Sequence, residues 1–248
     1  MLEYLVLGAA GFAAGLLNSV AGGGTFLTFP ALVWAGVPPI SANASATVAA
    51  LPGYVGSAVA FRQDMRAEGT LGLRAIVAVA TLGSIVGAVL LILTPGDLFS
   101  GIVPWLLLIA TVLFASGPLL MQYLRRGGRG DAGQALSAVA ILAVSIYGGY
   151  FNGGLGIMLL ATFGLLGYVN LHSMNGLKNV LSAILSLVSA LTFVVAGLIA
   201  WEPALLMAVC STVGGYVGAR QSRNIRTDIL RIFVTCVGAV MTVAFFIL

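Results

Sequence analysis

The chain alternates between long apolar stretches and short groups of polar residues or chain breakers. A stretch of about 20 apolar residues is what an α-helix needs to cross the ~30 Å hydrocarbon core of a bilayer. The first half contains five such stretches, at 4 to 20, 25 to 36, 41 to 61, 72 to 93 and 98 to 124. The second half contains another five, at 135 to 151, 156 to 168, 173 to 200, 203 to 219 and 228 to 248. The pattern therefore predicts an all-α polytopic membrane protein.

Two of these stretches are too short to span a bilayer. At ~1.5 Å of rise per residue, the stretch 25 to 36 covers only about 18 Å, and its counterpart 156 to 168 is equally short. Both are predicted to be half-helices or re-entrant segments.

The two halves of the chain resemble each other. At an offset of 132 the matching pairs are Gly24 and Gly156, Leu27 and Leu159, Val37 and Val169, Ser41 and Ser173, Asn43 and Asn175, and Ser57 and Ser189; at 131 they include Gly83 and Gly214, Gly87 and Gly218, and Asp97 and Asp228. We interpret this as an internal duplication. It divides one integral membrane domain into an N-terminal repeat (1–124), a basic linker (125–134) and a C-terminal repeat (135–248).

Composition excludes a soluble domain, since 60% of the residues are hydrophobic, 7% are charged and the mean hydropathy is +1.11. A pI of 9.4 would suggest a nucleic-acid partner in a soluble protein. Here the basic residues gather in loops, at 62 to 74, 125 to 129 and 220 to 231, and only Lys178 lies elsewhere. We therefore expect no nucleic-acid partner and place these loops in the cytoplasm. Each half then makes an odd number of crossings, provided that its first two segments together make zero or two. An odd number inverts the second repeat relative to the first.

The polar residues that recur in both halves are the candidate binding site. Each half has a Gly-rich bend preceded by asparagine, at Asn18 with Gly22 to Gly24 and at Asn152 with Gly153, Gly154 and Gly156. Each then has Ser-x-Asn, which we predict to cap the third segment at Ser41 and at Ser173. Two helix N-termini arriving from opposite faces would form an anion cradle. The alternative is ordinary capping of two unrelated helices.

The helix after Ser173 is predicted to be polar along one face. At ~100° per residue, this face contains Asn175, Lys178, Asn179, Ser182, Ser186 and Ser189. In the first half Asn43 and Thr47 form the equivalent pair. Hydrogen bonding between packed helices is the alternative for the serines, whereas we expect the asparagines to contact solute.

Lys178 is the only cation outside the positively charged loops, and a buried ammonium needs an anionic partner or a watery cavity. No carboxylate is near it in sequence, so the substrate itself is a candidate partner. Snorkelling to the membrane interface is the alternative.

No constellation typical of catalysis, metal binding or a cofactor is found in the apolar segments. His172 has no Cys, Asp or Glu at ligand spacing, and the glycine triplets lack the context of a dinucleotide fingerprint. We expect no enzyme, no metal and no cofactor. The pairs Gly83 and Gly87, and Gly214 and Gly218, are interpreted as helix-packing faces.

Four short stretches of the chain, two in each half, carry a family resemblance. The first half contains GLLNSVAGGGT at 15 to 25 and SANASAT at 41 to 47, and the second half contains YFNGGLG at 150 to 156 and NGLKN at 175 to 179. These sequences resemble the TauE/SafE family of sulfite exporters. The resemblance covers nearly the whole chain. It implies a multi-pass carrier of the bacterial inner membrane for small sulfur-containing anions.

The resemblance also implies where the substrate binds. The site residues expected from the motifs and the resemblance together are Asn18, Gly23, Gly24, Thr25, Ser41, Asn43, Thr47, Asn152, Gly154, Gly156, Ser173, Asn175, Lys178 and Asn179. Because Lys178 has Ala46 as its counterpart, one asymmetric site is the simpler interpretation. We expect a secondary transporter that exports sulfite by alternating access, in contact with the lipid bilayer, with a homodimer as a candidate assembly. An anion channel is the alternative.

Overall fold

A computed structural model describes residues 1–20, 23–60, 71–126, 133–168, 170–221 and 227–247. This part of the chain contains ten helices and no strand, which confirms the all-α class. They are α1 Leu2–Val20, α2 Thr25–Trp34, α3 Pro39–Ala60, α4 Leu73–Leu93, α5 Gly96–Arg126, α6 Gln134–Tyr150, α7 Leu155–Leu165, α8 Leu171–Val195, α9 Trp201–Gln221 and α10 Thr227–Ile247. Four of them, α1, α4, α5 and α8, are long and apolar enough to cross a membrane. Arg62, Arg66, Arg129, Arg223 and Arg226, on which the predicted orientation partly rests, lie outside the described residues.

The two short stretches form the half-helices α2 and α7, of 10 and 11 residues. Each is bounded by glycines in the left-handed region, Gly23 (φ 92°) and Gly36 (φ 82°) in the first half and Gly154 (φ 75°) and Gly167 (φ 84°) in the second. Each ends in a Schellman motif, in which Val37 N–H donates to Leu32 O and Tyr168 N–H donates to Phe163 O. The two halves therefore use the same backbone device to stop the helix.

The backbone corrects the predicted pairing at these half-helices by one residue. The left-handed glycines correspond at an offset of 131, so the pairing of Gly24 with Gly156 is wrong here. The offset becomes 132 again by α3 and α8, because the second half has one more residue between the half-helix and the next helix. Val169, the predicted partner of Val37, lies outside the described residues.

The prediction that Ser41 and Ser173 are N-caps is also wrong. Both serines are the third residue of their helix. The first intrahelical bonds run from Ala42 N–H to Pro38 O (2.8 Å) and from Met174 N–H to Asn170 O (2.9 Å). Asn170 also caps with its side chain, since its Oδ1 accepts from Ser173 N–H at 3.3 Å. In α3 the helix starts earlier than predicted because Pro39 is well suited to the first helical position.

Two helix pairs, α1 with α9 and α4 with α6, pack closely through glycine, and each pair takes one helix from each half. A Cβ at Gly83 on α4 would lie 2.6 Å from the Cβ of Ser145 on α6, and Gly214 on α9 faces the backbone of Phe12 on α1. Gly87 and Gly218 make the same kind of contact with these neighbours. The interpretation of these glycines as packing faces is confirmed.

Contacts between helix ends give the directions of the helices. Helices α1 and α9 run parallel, because Tyr4 donates to Glu202 near their starts and Gly218 meets Leu16 near their ends. The start of α3 lies where α9 starts and α6 ends, since Ser45 Oγ accepts from Ala200 N–H and Asn43 Nδ2 donates to Tyr150 O. Equivalent helices α1 and α6 therefore run in opposite directions, which is the arrangement that an inverted repeat requires.

Candidate functional site

Asn18, near the C-terminal end of α1, stabilises the Gly-rich bend of the first half. Its Oδ1 accepts from Gly24 N–H at 2.8 Å, and the side chain is 1% exposed. A Cβ at Gly24 would lie 2.5 Å from Ala14 O and 2.7 Å from Asn18 Nδ2, so only glycine fits. Asn18 Nδ2 has no hydrogen-bond partner among the described residues. Gly22 lies outside the described residues.

Two threonines follow this bend on α2. Thr25 and Thr28 are each 1% exposed, and neither hydroxyl has a partner among the described residues. At a spacing of three residues they lie on the same side of the half-helix. Thr25 was expected at the site; Thr28 was missed, although the i, i+3 spacing in the sequence would have indicated it.

The second-half bend, residues 151–154, joins three helices. Asn43 Nδ2 on α3 donates to Tyr150 O at 2.9 Å, at the end of α6. Asn152 Nδ2 lies 3.0 Å from Ser186 Oγ on α8. Asn43 Oδ1 and Asn152 Oδ1 have no partner within the described part of the chain. The bend thus brings together asparagines that are far apart in sequence, while Gly156 lies in the first turn of α7 and outside the bend.

The predicted polar face of α8 is buried inside the protein. Lys178 is 2% exposed, and Asn179, Ser182, Ser186 and Ser189 are exposed by at most 1%. Asn175 is only half-buried.

This face divides into two parts. Toward the C-terminus, Ser186 contacts Asn152 and Ser189 shares a hydrogen bond with Ser84 on α4 (2.9 Å). Ser84 also donates to Leu185 O at 2.9 Å. For Ser186 and Ser189, the alternative interpretation, hydrogen bonding between packed elements, therefore applies. Toward the N-terminus, Asn179 Oδ1 and Ser182 Oγ have no partner in the described residues.

Lys178 lies in this unpaired part of α8. The Lys178 side chain is only 2% exposed, which argues against snorkelling to a surface. The described carboxylates Glu3, Asp97 and Glu202 lie in the first turns of other helices, and within the described chain no ion pair or hydrogen bond of Lys178 is found. An uncompensated buried charge is strongly unfavourable, so a negative ligand would stabilise a charged Lys178.

Three predicted site residues differ from expectation. Thr47 was expected among the substrate-binding residues, but its hydroxyl donates to Asn43 O within α3 at 3.0 Å. Its proton is therefore already used. Ser41 is half-buried, and Ser173 is buried at the first turn of α8, where its N–H is capped by Asn170.

Residues 7–245 match the sequence model of the sulfite exporter TauE/SafE family. The chain belongs to the TauE/SafE family. A probable membrane transporter protein of Haemophilus influenzae is 30% identical over 243 residues, covering 96% of this chain and 92% of the relative. The probable membrane transporter protein YfcA of Escherichia coli K12 is 28% identical over 246 residues, covering 98% and 90%. A probable membrane transporter protein of Sinorhizobium, ORF9, is 29% identical over 235 residues, covering 89% and 82%.

As a TauE/SafE protein the chain is a membrane transporter, and its relatives are named as transporters, not as enzymes. Its buried polar residues are thus the candidate path for a solute. Within the described residues, no group of three or more His, Cys, Asp or Glu side chains could hold a metal ion.

Proposed function

We propose that this TauE/SafE transporter exports a small sulfur-containing anion, with sulfite as the best candidate, across the bacterial inner membrane. The observation that carries the proposal is the burial of Lys178, which is 2% exposed and lies on the same face of α8 as Asn179 Oδ1 and Ser182 Oγ, both unpaired among the described residues. The family model that the chain matches is that of sulfite exporters, so the anion that balances Lys178 is assigned to this class.

The polar groups around the bends supply the rest of the proposed site. Asn18 Nδ2, Thr25 Oγ1 and Ser182 Oγ are buried hydrogen-bonding groups without a partner in the described chain. Leaving such groups unpaired costs about 1–3 kcal/mol each, which a bound oxyanion would recover. The site is therefore proposed to combine one full charge with several neutral donors.

The burial of these residues favours a carrier over a channel. Asn18, Asn43, Asn152 and Lys178 are each exposed by no more than 2%. In a conducting pore, water would reach the groups that line the path, whereas here helices must move before solute can enter. Alternating access between the two oppositely oriented halves supplies such a movement.

Export needs no additional coupling ion on energetic grounds. Moving one negative charge out of a cell with a negative interior gains about 2.3 kcal/mol per 100 mV of membrane potential. Uniport of the anion is therefore sufficient in this proposal.

The decisive variant is Lys178→Met, which keeps much of the side-chain volume and removes the charge. Two unit charges at about 4 Å interact by roughly 4 kcal/mol at an effective dielectric constant of 20, of which desolvation cancels a part. We expect sulfite uptake into inverted proteoliposomes to lose at least tenfold in affinity. Without anion, the variant should unfold at a higher temperature than the wild type, because a buried unpaired charge is gone.

The control is Arg74→Met, which removes an exposed cation at the start of α4 and should leave sulfite affinity unchanged. Unaltered flux and affinity in Lys178→Met would remove the basis of the proposal. The channel alternative predicts unitary currents in planar bilayers, whereas a carrier shows saturating flux that is stimulated by sulfite on the opposite side.

A further inference from the structure

Two buried amides have orientations that their backbone partners determine. Asn18 accepts from Gly24 N–H, a group that only donates, so its oxygen is engaged and its NH₂ group is unpaired. Asn43 donates to Tyr150 O, a group that only accepts, so its NH₂ group is engaged and its oxygen is unpaired. Each side chain is 1% exposed. The interior therefore presents a fixed donor and also a fixed acceptor.

The unpaired acceptor does not suit a fully deprotonated oxyanion. Every oxygen of such an ion accepts hydrogen bonds and none donates. The ion would therefore leave Asn43 Oδ1 unpaired, and its negative oxygens would repel that amide oxygen. Asn152 Oδ1 and Asn179 Oδ1 are further buried amide oxygens without a partner in the described residues. The Ser186 hydroxyl can donate as well as accept, so the orientation of Asn152 is not determined in the same way, and Asn43 carries the argument.

We infer that the transported anion carries a hydrogen-bond donor, which it gives to Asn43 Oδ1, while Lys178 on the helix α8 that packs against α3 balances its charge. The inference rests on the proposed anion transport and narrows its substrate. For sulfite, the transported species is the hydrogen sulfite monoanion, so one proton leaves the cell with each anion. Asn43 is then the residue that distinguishes the protonated anion from the dianion.

A pair of small anions tests this inference without relying on the titration of sulfite. At mildly acidic pH, methylphosphonate and methanesulfonate are both tetrahedral monoanions with one methyl group, and only methylphosphonate has an O–H. Binding to the purified full chain is measured by thermal shift, and competition is measured against sulfite uptake in proteoliposomes. A site built to pair with a donor rejects the analogue that lacks it, so methylphosphonate should bind at least tenfold more tightly.

Variants identify the residue responsible. Asn43→Leu should reduce the preference for methylphosphonate to within about twofold, because the acceptor is gone. Ser211→Ala removes another buried unpaired hydroxyl, on α9, and should keep the full preference. If Asn43→Leu does not fold, the comparison of the two anions on the wild type still decides.

Two results overturn the inference: equal or tighter binding of methanesulfonate, or competition by neither anion while sulfite is transported. The proposed function fails separately. If the wild type moves no sulfite but is stabilised by methylphosphonate more than by methanesulfonate, sulfite export is wrong and the donor-bearing ligand stands.

Discussion

The seam between α4 and α6 should be highly sensitive to a single methyl group at Gly83. A Cβ there would lie 2.6 Å from Ser145 Cβ and 2.9 Å from Leu142 O. Carbon atoms pack at about 3.5–4.0 Å, so the two helices must separate by roughly 1 Å in Gly83→Ala. Such overpacking costs about 1–3 kcal/mol, and the better helix propensity of alanine returns about 0.5–1 kcal/mol.

The matched control is Gly101→Ala on α5, where an added Cβ would meet nothing within 4 Å. Only the gain in helix propensity applies there, so the two variants should differ by about 1–3 kcal/mol. At about 2–4 °C per kcal/mol for a chain of this size, Gly83→Ala should melt several degrees below Gly101→Ala. Thermal unfolding of both purified proteins in one detergent measures this difference. A Gly83→Ala variant that melts at or above the control would refute the tight seam.

Three further substitutions test other local features. Ser84→Ala leaves Leu185 O and Ser189 Oγ without their shared partner and should destabilise by about 1–2 kcal/mol in thermal or denaturant unfolding; an unchanged melting temperature would contradict that role. Asn170→Ala should cost about 0.5–2 kcal/mol through loss of the α8 cap, and a melting temperature equal to that of the wild type would contradict this role. Gly36→Ala meets no atom within 4 Å, so its expected loss of about 1 kcal/mol comes only from the left-handed backbone, and a neutral result would exclude that conformation.

The apolar pattern predicted the positions of the helices well, because lipid allows few alternatives to a hydrogen-bonded helix. The clearest misplacement is the end of the segment 173 to 200, since α8 stops at Val195 and the chain turns at Gly197 (φ 69°). The residues after this turn are as apolar as those before it. Hydropathy therefore gave no signal for the turn.

The polar positions of the candidate site were visible in the sequence because polar residues are rare in apolar segments. Their partners were not, since Asn43 bonds to a backbone group 107 residues away and Ser84 to one 101 residues away. The repeated Ser-x-Asn motif also led to a wrong prediction that the serines cap their helices. Asn170 performs that function in the second half, and its counterpart is Pro38, so the repeat contained no signal for it.

The close packing of α1 against α9 has a consequence for synthesis in the cell. α1 ends at Val20 and its principal neighbour begins at Trp201, so about 180 residues must be made before the two can meet. At about 5–20 residues per second, the first helix waits roughly 10–40 s in the membrane with its glycine face uncovered. The nascent chain therefore depends on the insertion machinery or on lipid to shield that face, and the first half should not be stable when it is expressed alone.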